Sequence, residues 1–237
     1  MNRLIMINII FGILLVGVLG IVMGAYNNTT ETIRIPIEKG WNLIPLSSGE
    51  LSKKVDSPIE ISDFKYIFLY DYGDEEYKLI QEDGEEVTPP GGVHGGWIED
   101  NDMKYYLGGS VWAYSENPGD MMLSWRGINS LYKDYSNWEM VRGWNFMHVV
   151  PNMVSKQLSE IKGSCDIEKI AVWQHQDWTV VSPSTLGDHQ DTAGLSWDEL
   201  VIADTNLDVG LGMIIKVSSD CRLGSSGDGG SNPPSLP

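Results

Sequence analysis

A 237-residue chain with 33 Asp and Glu against 16 Lys and Arg carries a net charge of −17, which excludes the basic face that a protein needs to neutralise nucleic-acid phosphates. The acidic excess suits a solvated surface, divalent cations or a salty exterior, and the length leaves room for one large domain or two small ones.

From Leu4 to Ala25 the only clearly polar side chain is Asn8. As a helix this run extends about 33 Å, enough for a hydrocarbon layer of about 30 Å. Arg3 precedes it and no Lys or Arg follows until Arg34, so the N-terminus is expected inside and the bulk of the chain outside. Residues 1–26 therefore read as a signal anchor in the membrane. The small residues Gly24 and Ala25 keep a cleaved signal peptide open, and a pilin-like filament helix ranks last because no strongly basic leader precedes the run. Residues 27–32 read as a solvated stalk with overlapping glycosylation sequons at Asn27 and Asn28.

Beyond the stalk the chain uses one stretch twice. Lys39-Gly40-Trp41-Asn42-Leu43-Ile44 returns as Arg142-Gly143-Trp144-Asn145-Phe146-Met147, 103 positions later. The same spacing relates Ser52-Lys53 to Ser155-Lys156, Asp63 to Asp166, Ile67 to Ile170, Gly109 to Gly212 and Ser115 to Ser218. A basic residue before Gly suits a tight turn, because Gly accepts positive φ, and Asn ties its side chain to nearby backbone. The structural turns are thus Gly40, Trp41, Asn42 and Gly143, Trp144, Asn145. A large ring just after such a turn, backed by aliphatic residues, is expected to plug the end of a β core rather than serve as a ligand platform.

Residues 33–118 make the first repeat. Ile33, Ile35 and Ile37 alternate with Arg34, Pro36 and Glu38, which predicts a half-buried strand, and Pro36 places it at an edge. Ser47 to Glu50 carries a capping-box pattern opening a short helix over 51–55. Phe64 to Tyr72 and Tyr77 to Ile80 predict a hairpin. Glu82 to Gly96 reads as a loop, and Gly108-Gly109 leads into a closing strand, Val111 to Ser115. Residues 119–136 read as a connector with an extra strand near Met121 to Trp125. Residues 137–223 make the second repeat. It has a helix capped by Asn152 with Val154, Leu158 and Ile161 on one side, a hairpin from Ile167 to Val181, and a closing strand from Met213 to Val217. Residues 224–237, rich in Gly, Ser and Pro, read as a flexible tail.

Cys165 and Cys221 lie on the exported side, so a disulfide is expected. Cys165 stands just before one predicted strand and Cys221 just after another, so the bond makes those strands antiparallel neighbours. A zinc pair is the weaker alternative, because CxxC spacing is missing.

A search for chemistry yields little. The chain has no Gly-x-Ser-x-Gly elbow and no phosphate-cradling glycine pattern. His94-Gly95-Gly96 is half of an oxyanion-hole signature, and a cleft near His94 or His189 is what an enzyme reading needs. Without those partners the chain is expected not to be an enzyme. No cofactor is expected except calcium, for which Asp204, Asn206 and Asp208 begin a loop of alternating oxygen donors. The glycine falls late and Ile215 stands where a bidentate Glu belongs, so no EF-hand is completed. For carbohydrate stacking the candidates are Trp97, Tyr105, Tyr106, Trp178 and Trp197, near predicted loops or loop edges.

With these residues in view, the chain resembles a loosely defined group of exported archaeal and bacterial proteins with a Gly-Trp-Asn-Leu-Ile type repeat. The likeness rests on Gly40 to Ile44, Tyr70-Asp71, Gly109 and Val111-Trp112-Ala113-Tyr114; the second copy keeps Gly143, Trp144 and Asn145 but has Gln174 and Ile215 where later aromatics are expected. The resemblance implies cell-surface or surface-layer association and no enzymatic role.

The expected architecture is mainly β: two tandem homologous β-sandwich-like modules, each with one short helix, behind an N-terminal hydrophobic helix. The expected role is a cell-surface structural or adhesive protein, membrane-anchored or secreted, that contacts other envelope proteins or copies of itself, as a repeating envelope or filament assembly in one version. The alternative is a membrane-tethered carbohydrate-binding module whose partners are surface glycans.

Overall fold

The computed structural model describes residues 32–48, 56–87, 106, 108–125, 134–186, 194–205 and 208–224. The apolar run, both sequons, the helix expected over 51–55, most of the 82–96 loop and the tail beyond Gly224 lie outside these residues. Among the described residues no helix is long and apolar enough to cross a membrane.

The chain is mainly β, and its sheets are antiparallel. Along the first repeat run β1 (Thr32–Ile37), β2 (Gly40–Pro45), β3 (Tyr66–Asp71), β4 (Glu76–Glu82), β5 (Glu85–Glu86) and β6 (Ser110–Ser115), followed by β7 (Gly119–Ser124). The second repeat has β8 (Glu139–Met140), β9 (Gly143–His148), the helix α1 (Leu158–Ile161), β10 (Ile167–Gln174), β11 (Asp177–Val181), β12 (Gly212–Val217) and β13 (Cys221–Arg222). One sheet is ordered β2-β6-β3-β4-β5 and the other β9-β12-β10-β11, with small pairs β1-β7 and β8-β13. The first four strands of the two larger sheets correspond one for one. β7, inside the span read as a connector, belongs to the fold: it pairs along all of β1, where Ile33, Ile35 and Ile37 face inward.

From Thr32 onward the chain forms one compact unit. A single apolar core gathers Ile44, Phe64 and Leu69 of the first repeat with Met147, Ile170, Met213 and Ile215 of the second. Glycine permits a close approach between the repeats: a Cβ on Gly212 in β12 would lie 2.4 Å from the Leu43 carbonyl oxygen of β2.

Three details differ from the sequence reading. The closing strands are related by 102 positions rather than 103: Gly40 is opposite Ser115, whereas Gly143 is opposite Val217. Because side chains alternate in a strand, one position decides the face. The structure matches the inward Ala113 to the inward Ile215, so Gly109 does not correspond to Gly212, nor Ser115 to Ser218. The second difference is the helix, which has only four residues. Pro151–Met153 is a separate 3-10 turn, and Ser155 at φ 60 breaks the path. Gln157 and Glu160 form the capping box of α1, while Asn152 bonds instead to the Asp134 carboxylate. Leu158 and Ile161 are buried as expected.

The third difference concerns Trp41 and Trp144, each 37% exposed and neither a core plug. The cause is the asparagine beside them. Asn42 accepts from the Glu38 N–H and donates to the Glu38 and Gly40 carbonyls; Asn145 does the same with Val141 and Gly143. Both amides are buried by this role, and alternation then turns the preceding indole outward. Gly40 and Gly143 adopt φ 107 and 101, a region open to glycine.

The Cys165–Cys221 disulfide is present, with the Cα atoms 5.0 Å apart. β10 and β12 between them are antiparallel neighbours, Ile167 opposite Val217.

A candidate aromatic binding pocket

On β3, Ile67 and Leu69 point into the core, so Tyr66, Phe68 and Tyr70 take the other face. The same logic puts Trp112 and Tyr114 of β6 outward around buried Ala113. Phe68 is opposite Trp112, Trp41 opposite Tyr114, and Tyr70 opposite Tyr77. Cross-strand neighbours of this kind gather rings into one wall. The second repeat brings Trp173 and Trp178, paired across the β10-β11 hairpin, against that wall. Trp112 lies 5.0 Å from Trp173 and 5.7 Å from Trp178 between ring centroids, and Trp173 lies 5.2 Å from Trp178.

Trp41, Phe68, Tyr77, Trp112, Trp173 and Trp178 line an open pocket of ≈ 390 Å³. Its rim is open, with Tyr77 half exposed at 50%. Partial burial pushes the Tyr77 hydroxyl's pKa up.

A strained turn holds the pocket's second wall. His175 and Gln176, between β10 and β11, have φ of 53 and 60, a left-handed conformation that normally calls for Gly or Asn. The compensation lies in what the turn grips. Gln176 accepts from the Trp41 N–H at 3.1 Å through Oε1 and donates to the Trp41 carbonyl at 2.7 Å through Nε2. The Trp173 indole N–H donates to that carbonyl at 3.0 Å, and His175 Nδ1 lies 2.9 Å from Glu38 Oε1. β2 is an edge strand, so these side chains satisfy backbone groups that another strand would otherwise seek. A reciprocal contact covers the other edge: the Tyr72 hydroxyl, beyond β3, accepts from the Phe146 N–H on β9 at 3.0 Å. Tyr72 sits under Tyr106, and its burial pushes its hydroxyl's pKa up.

Of the stacking candidates, Trp178 is in the pocket. Tyr106 is buried and its hydroxyl accepts from the Tyr72 N–H, so it is not a surface platform. Trp197 packs against the core and donates its indole N–H to the Ile167 carbonyl. Trp97 and Tyr105 lie outside the described residues, as do His94, His189, Asn206, Asn27 and Asn28. In the calcium candidate, Asp208 Oδ2 accepts from the N–H groups of Asp204 and Thr205 and from the Thr205 hydroxyl, so that carboxylate closes its own turn. Among the described residues no group of three His, Cys, Asp or Glu is placed to hold a metal.

Phe68, Tyr77, Trp112 and Trp173 are not among the stacking candidates that the sequence offers, and Trp41 reads there as a core plug rather than a ligand platform. The available signal was period two: Tyr66, Phe68 and Tyr70, with Trp112 and Tyr114, put aromatics on the face that the aliphatic residues leave. No protein-family model matches the chain, and no curated protein or solved structure does either.

Proposed function

We propose that this protein is an adhesive, non-enzymatic component of the cell surface, displayed outside the membrane on the apolar run of residues 4–25, whose recognition element is the aromatic pocket. The two repeats are read as homologous modules that came to share one core, with the pocket at their junction. The observation that supports the reading is the open pocket lined by six rings, since concave sites of a few hundred Å³ lined by aromatic side chains are the usual form of a ligand site. The resemblance to Gly-Trp-Asn-Leu-Ile exported proteins supports the location. Assembly by strand pairing at β2 or β9 has less support, because Gln176 and Tyr72 already engage those edges.

The test is a titration of the full chain in a non-ionic polyoxyethylene detergent with envelope glycans, peptides and small organic solutes, followed by tryptophan fluorescence and calorimetry. At least one class should bind, and Trp112→Ala and Trp178→Ala should abolish the signal while the far-UV spectrum stays unchanged. Binding that survives both substitutions, or none across the whole panel, refutes the pocket as the recognition element. Glycan binding lost in both variants would select the carbohydrate version of the same reading.

A further inference from the structure

Resting on the reading of this pocket as a ligand site, we propose that its ligand is an N-methylated ammonium group, quaternary in its best form. The first argument is the arrangement of the walls. Trp112 stands at 87° to Trp173, at 86° to Trp178 and at 83° to Trp41, and Trp173 stands at 68° to Trp178. Rings set at right angles surround a compact group. They do not form the coplanar strip along which successive sugar rings stack.

The second argument is polar bookkeeping. The Trp173 N–H is committed to the Trp41 carbonyl, and the rest of the lining is predominantly apolar. A sugar brings several hydroxyls, and each one desolvated without a partner is costly. A methylated ammonium has no hydroxyl to satisfy; its charge is spread over methyl groups that the electron-rich ring faces attract.

Charge is the third argument. A net charge of −17 raises the local concentration of cations and opposes anions. The six lining side chains include no Lys or Arg, so no cation of the protein's own competes. Among the described residues, the ammonium placed over a ring is that of Lys65 above Tyr66 at 5.6 Å, outside the pocket. The volume admits a trimethylammonium head together with the start of its tail.

The repeat supplies an internal control. Position by position, the second sheet has Ala171 where the first has Phe68, and Ile214 where it has Trp112, although it keeps Trp144 as the counterpart of Trp41. The second sheet therefore lacks two of the aromatic walls.

Isothermal titration of the full chain would compare choline with its neutral isostere 3,3-dimethylbutan-1-ol, and both with a glucose oligosaccharide. A trimethyl-lysine peptide tests whether the group can be carried on a protein rather than on a free solute. The expected result is that choline or the peptide binds at least about tenfold more tightly than the isostere. Trp112→Ala and Tyr77→Leu should each weaken this binding, and Trp144→Ala should leave it intact. Tyr77, half exposed on the rim, is the variant that keeps the test valid if Trp112→Ala misfolds. Equal affinity for choline and isostere, or oligosaccharide binding in their place, overturns the ammonium assignment and leaves the pocket standing. No binding of choline or peptide, with the broader panel still positive, does the same. Silence of every ligand in both experiments refutes the pocket and its ligand together.

Discussion

His148 ends β9 fully buried, with its ring stacked on Trp125 at 18° and its Nδ1 3.2 Å from the Gly109 carbonyl oxygen. That contact makes Nδ1–H the donor. Burial pushes the pKa down from 6.5 to about 4. In the unfolded chain the same ring takes a proton near 6.5, so between 6.5 and about 4 the unfolded state binds the proton that the folded state refuses. Stability is thus unaffected by this group above 6.5, falls as the pH drops through the interval, and changes no further below about 4. The gap between the two values amounts to about 3 kcal/mol, a large share of the margin of an ordinary domain. The assay is urea denaturation of wild type and His148→Leu at pH 7 and at about pH 4.5. His148→Leu should lose less stability on acidification, with a difference approaching about 3 kcal/mol, whatever fixed cost the substitution carries. Carboxylates such as Glu160 and Glu199, held below their usual range by hydrogen bonds, titrate in both proteins and cancel. Equal acid losses in the two proteins, or an NMR titration of His148 centred near 6.5, would refute the reasoning.

Replacing Cys165 and Cys221 by Ser reopens a span of 56 residues, for which loop entropy predicts a loss of about 4 kcal/mol; a urea midpoint unchanged from that of the oxidised protein contradicts this. Gly212→Ala puts a methyl within 2.5 Å of Leu43, and overpacking of this kind should cost about 1–3 kcal/mol in equilibrium unfolding; no measurable loss would show that the seam between the repeats gives way easily. Gln176→Ala removes the grip on Trp41 but keeps a side chain at φ 60, whereas Gln176→Gly removes the grip and relieves the backbone. The alanine variant should therefore be the less stable by about 1 kcal/mol, and equal midpoints would mean that the turn is not strained.

Much of the β framework was legible because it rests on local rules. Tyr66 to Asp71 reads as a strand from its own composition, and the turn residues from Tyr72 to Glu75 fold it back. The disulfide followed from Cys165 and Cys221 flanking two predicted strands. The pocket was much less legible. Trp178 stands out by its place near a loop, while Trp112 and Phe68 read as ordinary strand residues, because a sequence shows that two faces alternate without showing what covers each. The helix expected over 152–161 is shortened to Leu158–Ile161 for a related reason. Val154, Leu158 and Ile161 have helical spacing, but the carbonyls of Ala203 and Leu200 take the N–H groups of Ser155 and Leu158 and hold the segment in place.

By itself the sequence determined the strands and their reversals, and the bracing turn in which Asn42 or Asn145 closes on the backbone around a positive-φ glycine. Those features involve residues within a few positions of one another, whose preferences do not depend on the rest of the chain. The tertiary structure alone decided that the second closing strand is shifted by one position and that Trp173 and Trp178 lie over the first sheet. Each of these depends on contacts between residues far apart in the chain, such as Gln176 on the backbone of Trp41, 135 positions away, or Gly212 under Leu43. Burial on one face of a strand can be inferred from its own pattern, but the partner that arrives on the other face is set by how the whole chain closes.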